Sequence, residues 1–222
     1  TFCPIIFKYI TDDAVEHNIL NDYRIIVHKM PLSHHSTLRV KLKEREFYTS
    51  ESKNYHYWTQ RIMEATTKKQ EQIASIMRMK ALMDFKTKEH YTKSLMEDIE
   101  DKCIVFCNTQ DQADRICDNS YHSKNENSEL NLKKFKEDKI TQLSCVLQLN
   151  EGVNIPNLKN AIILHSYSGG SPKAQQKFGR LLRLPTDQTA VIHILCYRNT
   201  VDEKWVFDNL KNYDQNKITN LN

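Results

Sequence analysis

The residues best placed for chemistry in this chain are Gln176, Arg180 and Arg183. On a helix they fall at i, i+4 and i+7 along one face, and Phe178, Leu181 and Leu182 form the opposite, apolar face. Guanidinium groups are permanently charged and planar, so two of them in register suit the phosphates of a nucleotide. Ser171 is a good N-cap for such a helix, and Pro172 fits its first turn. The same pattern also describes an ordinary amphipathic helix with a solvated arginine face. Glycine usage favours the functional reading. The chain has only 4 glycines, Gly152, Gly169, Gly170 and Gly179. All lie in the stretch that contains or leads into this segment, where backbone must bend or approach something closely.

Composition bounds what surrounds these residues. A chain of 222 residues with 39% hydrophobic and 27% charged residues can bury a sizeable core as one domain or two small ones. It has no apolar run of about 18 residues, so no membrane span is expected. The opening Thr1-Phe2-Cys3-Pro4 is not a signal peptide and reads like a cut inside a longer protein. The 6 cysteines lack metal-knuckle spacing. Cys103 and Cys107 flank an apolar Ile-Val-Phe core and belong on one face of a strand, as free thiols of a reducing cytoplasm. Adjacent His34 and His35 would point to opposite faces of a strand, which speaks against a shared metal. Net charge is only +4, but between Lys53 and Lys93 there are nine Lys/Arg against four Asp/Glu. Tyr55, Tyr57, Trp58, Phe85 and Tyr91 are interleaved with them. The segment is either a basic, aromatic nucleic-acid surface or a solvated helical hairpin with its aromatics inward.

Periodicity divides the chain into three parts. Residues 1–35 read as strand, short helix, strand, with Ile25 and Val27 on one side of the second strand. Residues 36–100 read as wholly helical, with Ile73, Ile76, Met77 and Leu82 at core spacing. Residues 101–222 alternate apolar strand runs with helices. Thr109–Gln112 and Thr200–Glu203 are capping boxes, and runs at 103–107, 143–149, 161–166 and 190–196 are strands. The expected fold class is α/β: a parallel sheet with helices on both faces, plus a largely helical insertion. In such sheets ligands bind outside the carboxyl ends of the strands. Three suggestive loops follow such ends: Asn108, the run Asn150-Glu151-Gly152-Val153-Asn154, and Ser166–Ser171.

These pieces, in this order, resemble the C-terminal RecA-like domain of superfamily 2 helicases of the DEAD/DEAH type. Cys103–Asn108 looks like motif IV, Tyr121–Ser123 like motif IVa, and Leu149–Pro156 like motif V. Gln176–Arg183 is similar to motif VI, Q-x-x-G-R-x-x-R. The resemblance covers residues 102–206. The opening residues Cys3–Ile6 and Asn18–Tyr23 also look like the linker of phage and bacterial relatives of the excision-repair and phage recombination helicases. The resemblance implies that Arg180 and Arg183 are arginine fingers on the γ-phosphate of ATP, and that Gln176 couples the nucleotide site to a facing domain. It further implies nucleotide contacts from Gly152, Asn154 and Glu151, and nucleic-acid contacts from Asn108, Lys124 and Asn150. Asn154 stands where many relatives carry aspartate, and Lys177 where arginine is common.

No G-x-x-x-x-G-K-[ST] loop and no four-residue acidic box occurs in the sequence. The expectation is half of a motor: residues 1–35 join a preceding RecA-like domain that holds the ATP-binding lysine and the Mg2+ ligands. Residues 36–100 are a basic insertion, and residues 101–222 form the second motor domain. The fragment alone should not turn over ATP. DNA is expected over RNA as the partner, from the linker-like opening. Two other readings stay open: a non-catalytic RecA-like scaffold whose arginines serve ion pairs, and the motor part of a restriction enzyme.

Overall fold

Short apolar runs alternate here with capped amphipathic segments, the pattern that yields a parallel sheet wrapped by helices. The computed structural model describes residues 11–17, 21–42, 45–146, 155–167 and 188–222. In chain order these hold α1 (Thr11–Glu16), β1 (Asp22–Met30), β2 (Leu38–Leu42), β3 (Arg45–Thr49), α2 (Glu51–Met63), α3 (Lys68–Asp84) and α4 (Lys86–Glu97). Then follow β4 (Cys103–Cys107), α5 (Gln110–Ile116), β5 (Ser120–Tyr121), α6 (Ser128–Lys136), β6 (Gln142–Val146), β7 (Asn160–Ile163), β8 (Thr189–Tyr197), α7 (Val201–Leu210) and β9 (Ile218–Leu221).

Seven strands form one sheet in the order β5-β6-β4-β7-β8-β1-β9, and every neighbouring pair is parallel. Alternation along the strands builds two cores. Ile25, Val27, Ile104, Phe106, Ile163, Ile192 and Ile194 face Phe135 of α6 and Val206 and Leu210 of α7. On the other face Cys103, Val105, Cys107, Ile162 and Leu195 meet Tyr55, Leu82, Phe85, Met96, Ala113 and Ile116 of α2–α5 and the α3–α4 junction. Cys103 and Cys107 thus share a face, as their spacing requires. Burial pushes the Cys103 and Cys196 thiols up to about 12, so they behave as small apolar residues rather than nucleophiles.

Residues 36–100 differ from the wholly helical expectation. They open with an antiparallel hairpin in which Leu38 pairs with Thr49 and Val40 with Phe47. The period-two alternation of Leu38-Arg39-Val40-Lys41-Leu42 outweighs the absence of glycine and proline. Of the apolar quartet on α3, only Leu82 is buried, and Ile73, Ile76 and Met77 are exposed. The helical spacing is real, but α3 packs on α2 and the sheet through Ala74 and Leu82, which leaves the isoleucine–methionine stripe outward. The helices are also fastened to the sheet domain. Buried Glu51, at the start of α2, accepts hydrogen bonds from Ser33 N (3.1 Å) and from Thr87 N and Oγ1 at 3.0 and 2.7 Å. Glu89 of α4 pairs with Arg115 of α5 at 2.5 Å. Strand β9 has no counterpart among the sequence expectations. The expected strand at 4–10 and the arginine helix lie outside the described residues.

Candidate functional site

The connections of this sheet fix where a ligand crevice can form. After β4 the chain moves outward through α5 to β5 and returns to β6. It then crosses to the other side of β4 to form β7, from which it proceeds to β8. The exits of β4 and β7, which are hydrogen-bonded neighbours, therefore diverge. Between two such diverging exits a parallel sheet opens its crevice. Asn108 follows β4, and Leu164, His165, Ser166 and Tyr167 follow β7.

Asn108 bridges this crevice. Its Oδ1 accepts from the Tyr167 hydroxyl at 3.4 Å, and its backbone N donates to Gln112 Oε1 at 3.0 Å. The amide Nδ2 is buried and has no hydrogen-bond partner among the described residues. An orphaned buried donor costs free energy unless a ligand or water accepts from it. The local sequence explains its pose. Thr109 caps α5 by accepting from Gln112 N at 3.2 Å. The Gln112 side chain reaches one residue further back than a capping box requires, to Asn108 itself, and its Nε2 donates to Met83 O at 3.0 Å. Tyr167 is held from below by Asn209 of α7, whose Nδ2 donates to the Tyr167 carbonyl at 3.0 Å.

Lys124, the second predicted nucleic-acid contact, is exposed in the turn after β5. It stands two strands from β4 in the sheet, about 10 Å from the crevice at the usual strand spacing. Buried His122 and Ser120 anchor its turn against the exposed Asp114 carboxylate. His122 Nε2 lies 2.8 Å from Asp114 Oδ1, and Ser120 Oγ donates to the same oxygen at 2.6 Å. Partial burial pushes the Asp114 carboxyl up, but the hydrogen bonds from His122 and Ser120 outweigh it and hold the group below its usual range. His122 Nδ1 is buried and unpartnered among the described residues. The ring borders a cavity of about 340 Å3 with Ser123, Asn125 and Ser128.

Behind the crevice lies a wholly buried ion pair that sequence reasoning missed. Lys88 of α4 is 1% exposed and Asp202 of α7 0%. Lys88 Nζ donates to Asp202 Oδ2 at 2.5 Å and to the Leu164 carbonyl at 2.8 Å. Asp202 Oδ2 also accepts from Tyr197 N at 3.0 Å, and Oδ1 lies 3.3 Å from His165 Nδ1. Burial alone would raise the Asp202 carboxyl, yet Lys88 and His165 hold it below its usual range. Thr200 caps α7 by accepting from Asp202 N at 3.1 Å. The capping box is therefore legible in sequence, but the lysine lies 114 residues away from its partner, and only the fold joins them.

The remaining predicted residues, Asn150, Glu151, Gly152, Asn154, Gln176, Arg180 and Arg183, lie outside the described residues. Among the described residues no group of three or more His, Cys, Asp or Glu could hold a metal ion. No helix among them is long and apolar enough to cross a membrane. In the basic segment 53–93, Lys88, Tyr55 and Phe85 turn inward, whereas Tyr57 and Tyr91 are exposed.

The fold and the crevice define a RecA-like domain of the kind found at the C-terminus of helicases. Residues 86–185 match the family described as the helicase conserved C-terminal domain. That stretch contains Asn108, Lys124 and the Gln176–Arg183 segment, and it begins with α4. No curated protein sequence matches the chain. Among solved structures it is similar to the C-terminal part of the Fun30 ATPase domain, at 13% identity over 88% of this chain and 92% of that one, with a TM-score of 0.59. It is also similar to the E. coli DEAD-box protein SrmB bound to regulator of ribonuclease activity A, at 10% identity, 91% of each chain and a TM-score of 0.54. S. cerevisiae Dbp5 bound to RNA and ADP BeF3 matches at 10% identity and a TM-score of 0.51, over 92% of this chain. The chain spans 43% of the length of that Dbp5 chain.

Proposed function

We propose that this chain is the second motor domain of an ATP-dependent superfamily 2 helicase or translocase that acts on DNA, related to the phage and bacterial excision-repair and recombination helicases. The observation that carries the reading is the crevice between the exits of β4 and β7, with the Asn108 Nδ2 donor orphaned beside it. The family match over residues 86–185 and the order of the motifs along the sequence support it.

In this reading Asn108, Asn150 and Lys124 contact the backbone of one nucleic-acid strand, held mainly through its phosphates. Gly152, Asn154 and Glu151 border the nucleotide. Arg180 and Arg183 neutralise charge that develops on the γ-phosphate, and Gln176 couples that site to a preceding RecA-like domain. ATP with Mg2+ supplies the phosphoryl group whose hydrolysis drives the cycle. The P-loop lysine and the Mg2+ ligands belong to the preceding domain, because no P-loop sequence occurs in this chain.

The test uses the natural protein that carries this chain. Single-stranded DNA should stimulate its ATP turnover, duplex DNA and RNA less so, and the 222-residue chain alone should show none. Stimulation by RNA alone would reassign the substrate. Turnover by the isolated chain would sink the half-motor reading, and no stimulation by any nucleic acid would favour a scaffold domain.

A further inference from the structure

We propose that Lys88 and Asp202 are positioning residues, which hold the exit of β7 in the geometry that the Asn108 site requires. The proposal rests on the reading of Asn108 as a nucleic-acid contact.

The pair is unusual in where its hydrogen bonds go. A buried ion pair can often be replaced by apolar residues of similar volume with little loss of stability, so stability by itself does not call for one. Here the ammonium has a second partner, the carbonyl of Leu164, the first residue after β7. That carbonyl is buried among strand exits, and an apolar substitute for Lys88 would leave it without this donor. The carboxylate likewise serves two exits. One oxygen takes the Tyr197 N–H at the end of β8, and the other lies against His165. Lys88 and Asp202 therefore fix the ends of two adjacent strands, one from α4 and the other from the start of α7.

From there the contacts run directly to the site. The His165 ring meets Trp205 of α7 edge-on with centroids 5.6 Å apart, and meets Tyr167 in the same way at 5.2 Å. Tyr167 donates to Asn108 Oδ1 at 3.4 Å. With the hydroxyl donating to Oδ1, the amide plane is held so that the unpartnered Nδ2 donor faces the remaining space, which suits an acceptor such as a phosphate oxygen. The relay thus sets how Asn108 is oriented toward a ligand, although neither member of the ion pair touches one.

The test compares the wild-type chain with K88M/D202N, which removes both charges and keeps an acceptor for Tyr197 N. The readouts are thermal unfolding, amide hydrogen exchange, and affinity for a fluorescein-labelled single-stranded oligodeoxynucleotide. The expected result is a folded variant in which the amides of residues 164–167 exchange about tenfold faster, with β6 and β1 unchanged. Oligonucleotide affinity should fall about tenfold. A variant that unfolds at lower temperature but keeps the wild-type exchange at 164–167 and the wild-type affinity would assign the pair to stability alone and overturn the proposal. Tyr167→Phe covers the possibility that the double variant does not fold. It removes the last hydrogen bond of the relay without burying a charge, and should lower affinity by a similar factor at unchanged melting temperature. Unchanged affinity in that variant overturns the proposal as well. If the wild-type chain binds no oligonucleotide, the reading of Asn108 fails, and the exchange comparison still decides whether Lys88 and Asp202 position the β7 exit.

Discussion

Asn108 shows how much a single side chain can carry. Its backbone is fixed by Gln112 and its carbonyl oxygen by Tyr167, so its free donor is aimed rather than averaged. Asn108→Ala should leave unfolding within about 0.5 kcal/mol of wild type and weaken nucleic-acid binding severalfold, measured by fluorescence anisotropy. Binding equal to wild type would remove Asn108 from the interface. Arg183→Ala in the natural protein should lower ATP turnover by on the order of 10³ while nucleotide binding persists. A small change in turnover would show that Arg183 does not meet the γ-phosphate. Asn108 was legible because it directly follows an apolar run that must be a strand. Tyr167 was not, because its role depends on β4 and β7 becoming neighbours, 59 residues apart in the chain.

At the level of elements, α2 and α3 are anchored at one end and free along one side. Glu51 and Tyr55 tie α2 to the loop after β1 and to the start of α7, where the Tyr55 hydroxyl accepts from Val201 N at 3.1 Å. Leu82 inserts fully into the core beneath, whereas Ile73, Ile76 and Met77 stay in solvent. Leu82→Ala should cost about 2–5 kcal/mol, and Met77→Ala only a few tenths, in urea unfolding. Equal costs would mean that the outer stripe is covered. Lys68, Lys69 and Lys80 are exposed along α3. Replacing all three with alanine should reduce the salt slope of DNA binding by up to about 3 if the helix lies on phosphates. An unchanged slope would leave them as solvated charges. The spacing of α3 predicted a helix, which forms, but it also put Ile73, Ile76 and Met77 at core positions, and these are exposed. It could not say which stripe is buried, because α3 uses small Ala74 to approach α2, and residue size alone does not announce that choice.

Across the whole molecule, two histidines join the middle of the sheet to its surface. His28 Nε2 on β1 lies 2.9 Å from His193 Nδ1 on β8, and His28 Nδ1 lies 2.8 Å from the Tyr91 hydroxyl on α4. Burial, aided by the neighbouring His28, pulls His193 down from 6.5 to about 4, and burial lowers His28 as well. Both are neutral in the folded chain near pH 7. Unfolding lets them bind protons below about 6.5, so their contribution is fully present above that pH and is lost as pH falls toward about 4. Stability should therefore drop by on the order of 2 kcal/mol across that window. The drop should be smaller in His193→Leu, measured by urea unfolding at several pH values. A wild-type and variant pair with parallel pH profiles would show that the histidines titrate alike in both states.

The sequence by itself determined the local logic of this protein. Apolar runs such as 103–107 could only be buried strands, Thr109 and Thr200 could only start helices well, and the alternation of the two required a parallel sheet with sites at strand ends. These are short-range constraints, set by backbone hydrogen bonding and side-chain period. Tertiary structure decided which strand ends lie side by side. It placed β7 next to β4 rather than next to β6, and so put Tyr167 on Asn108. It also brought Lys88 of α4 to Asp202 of α7. A buried charge must find its partner in space rather than along the chain, and only the assembled sheet with its packed helices supplies that meeting.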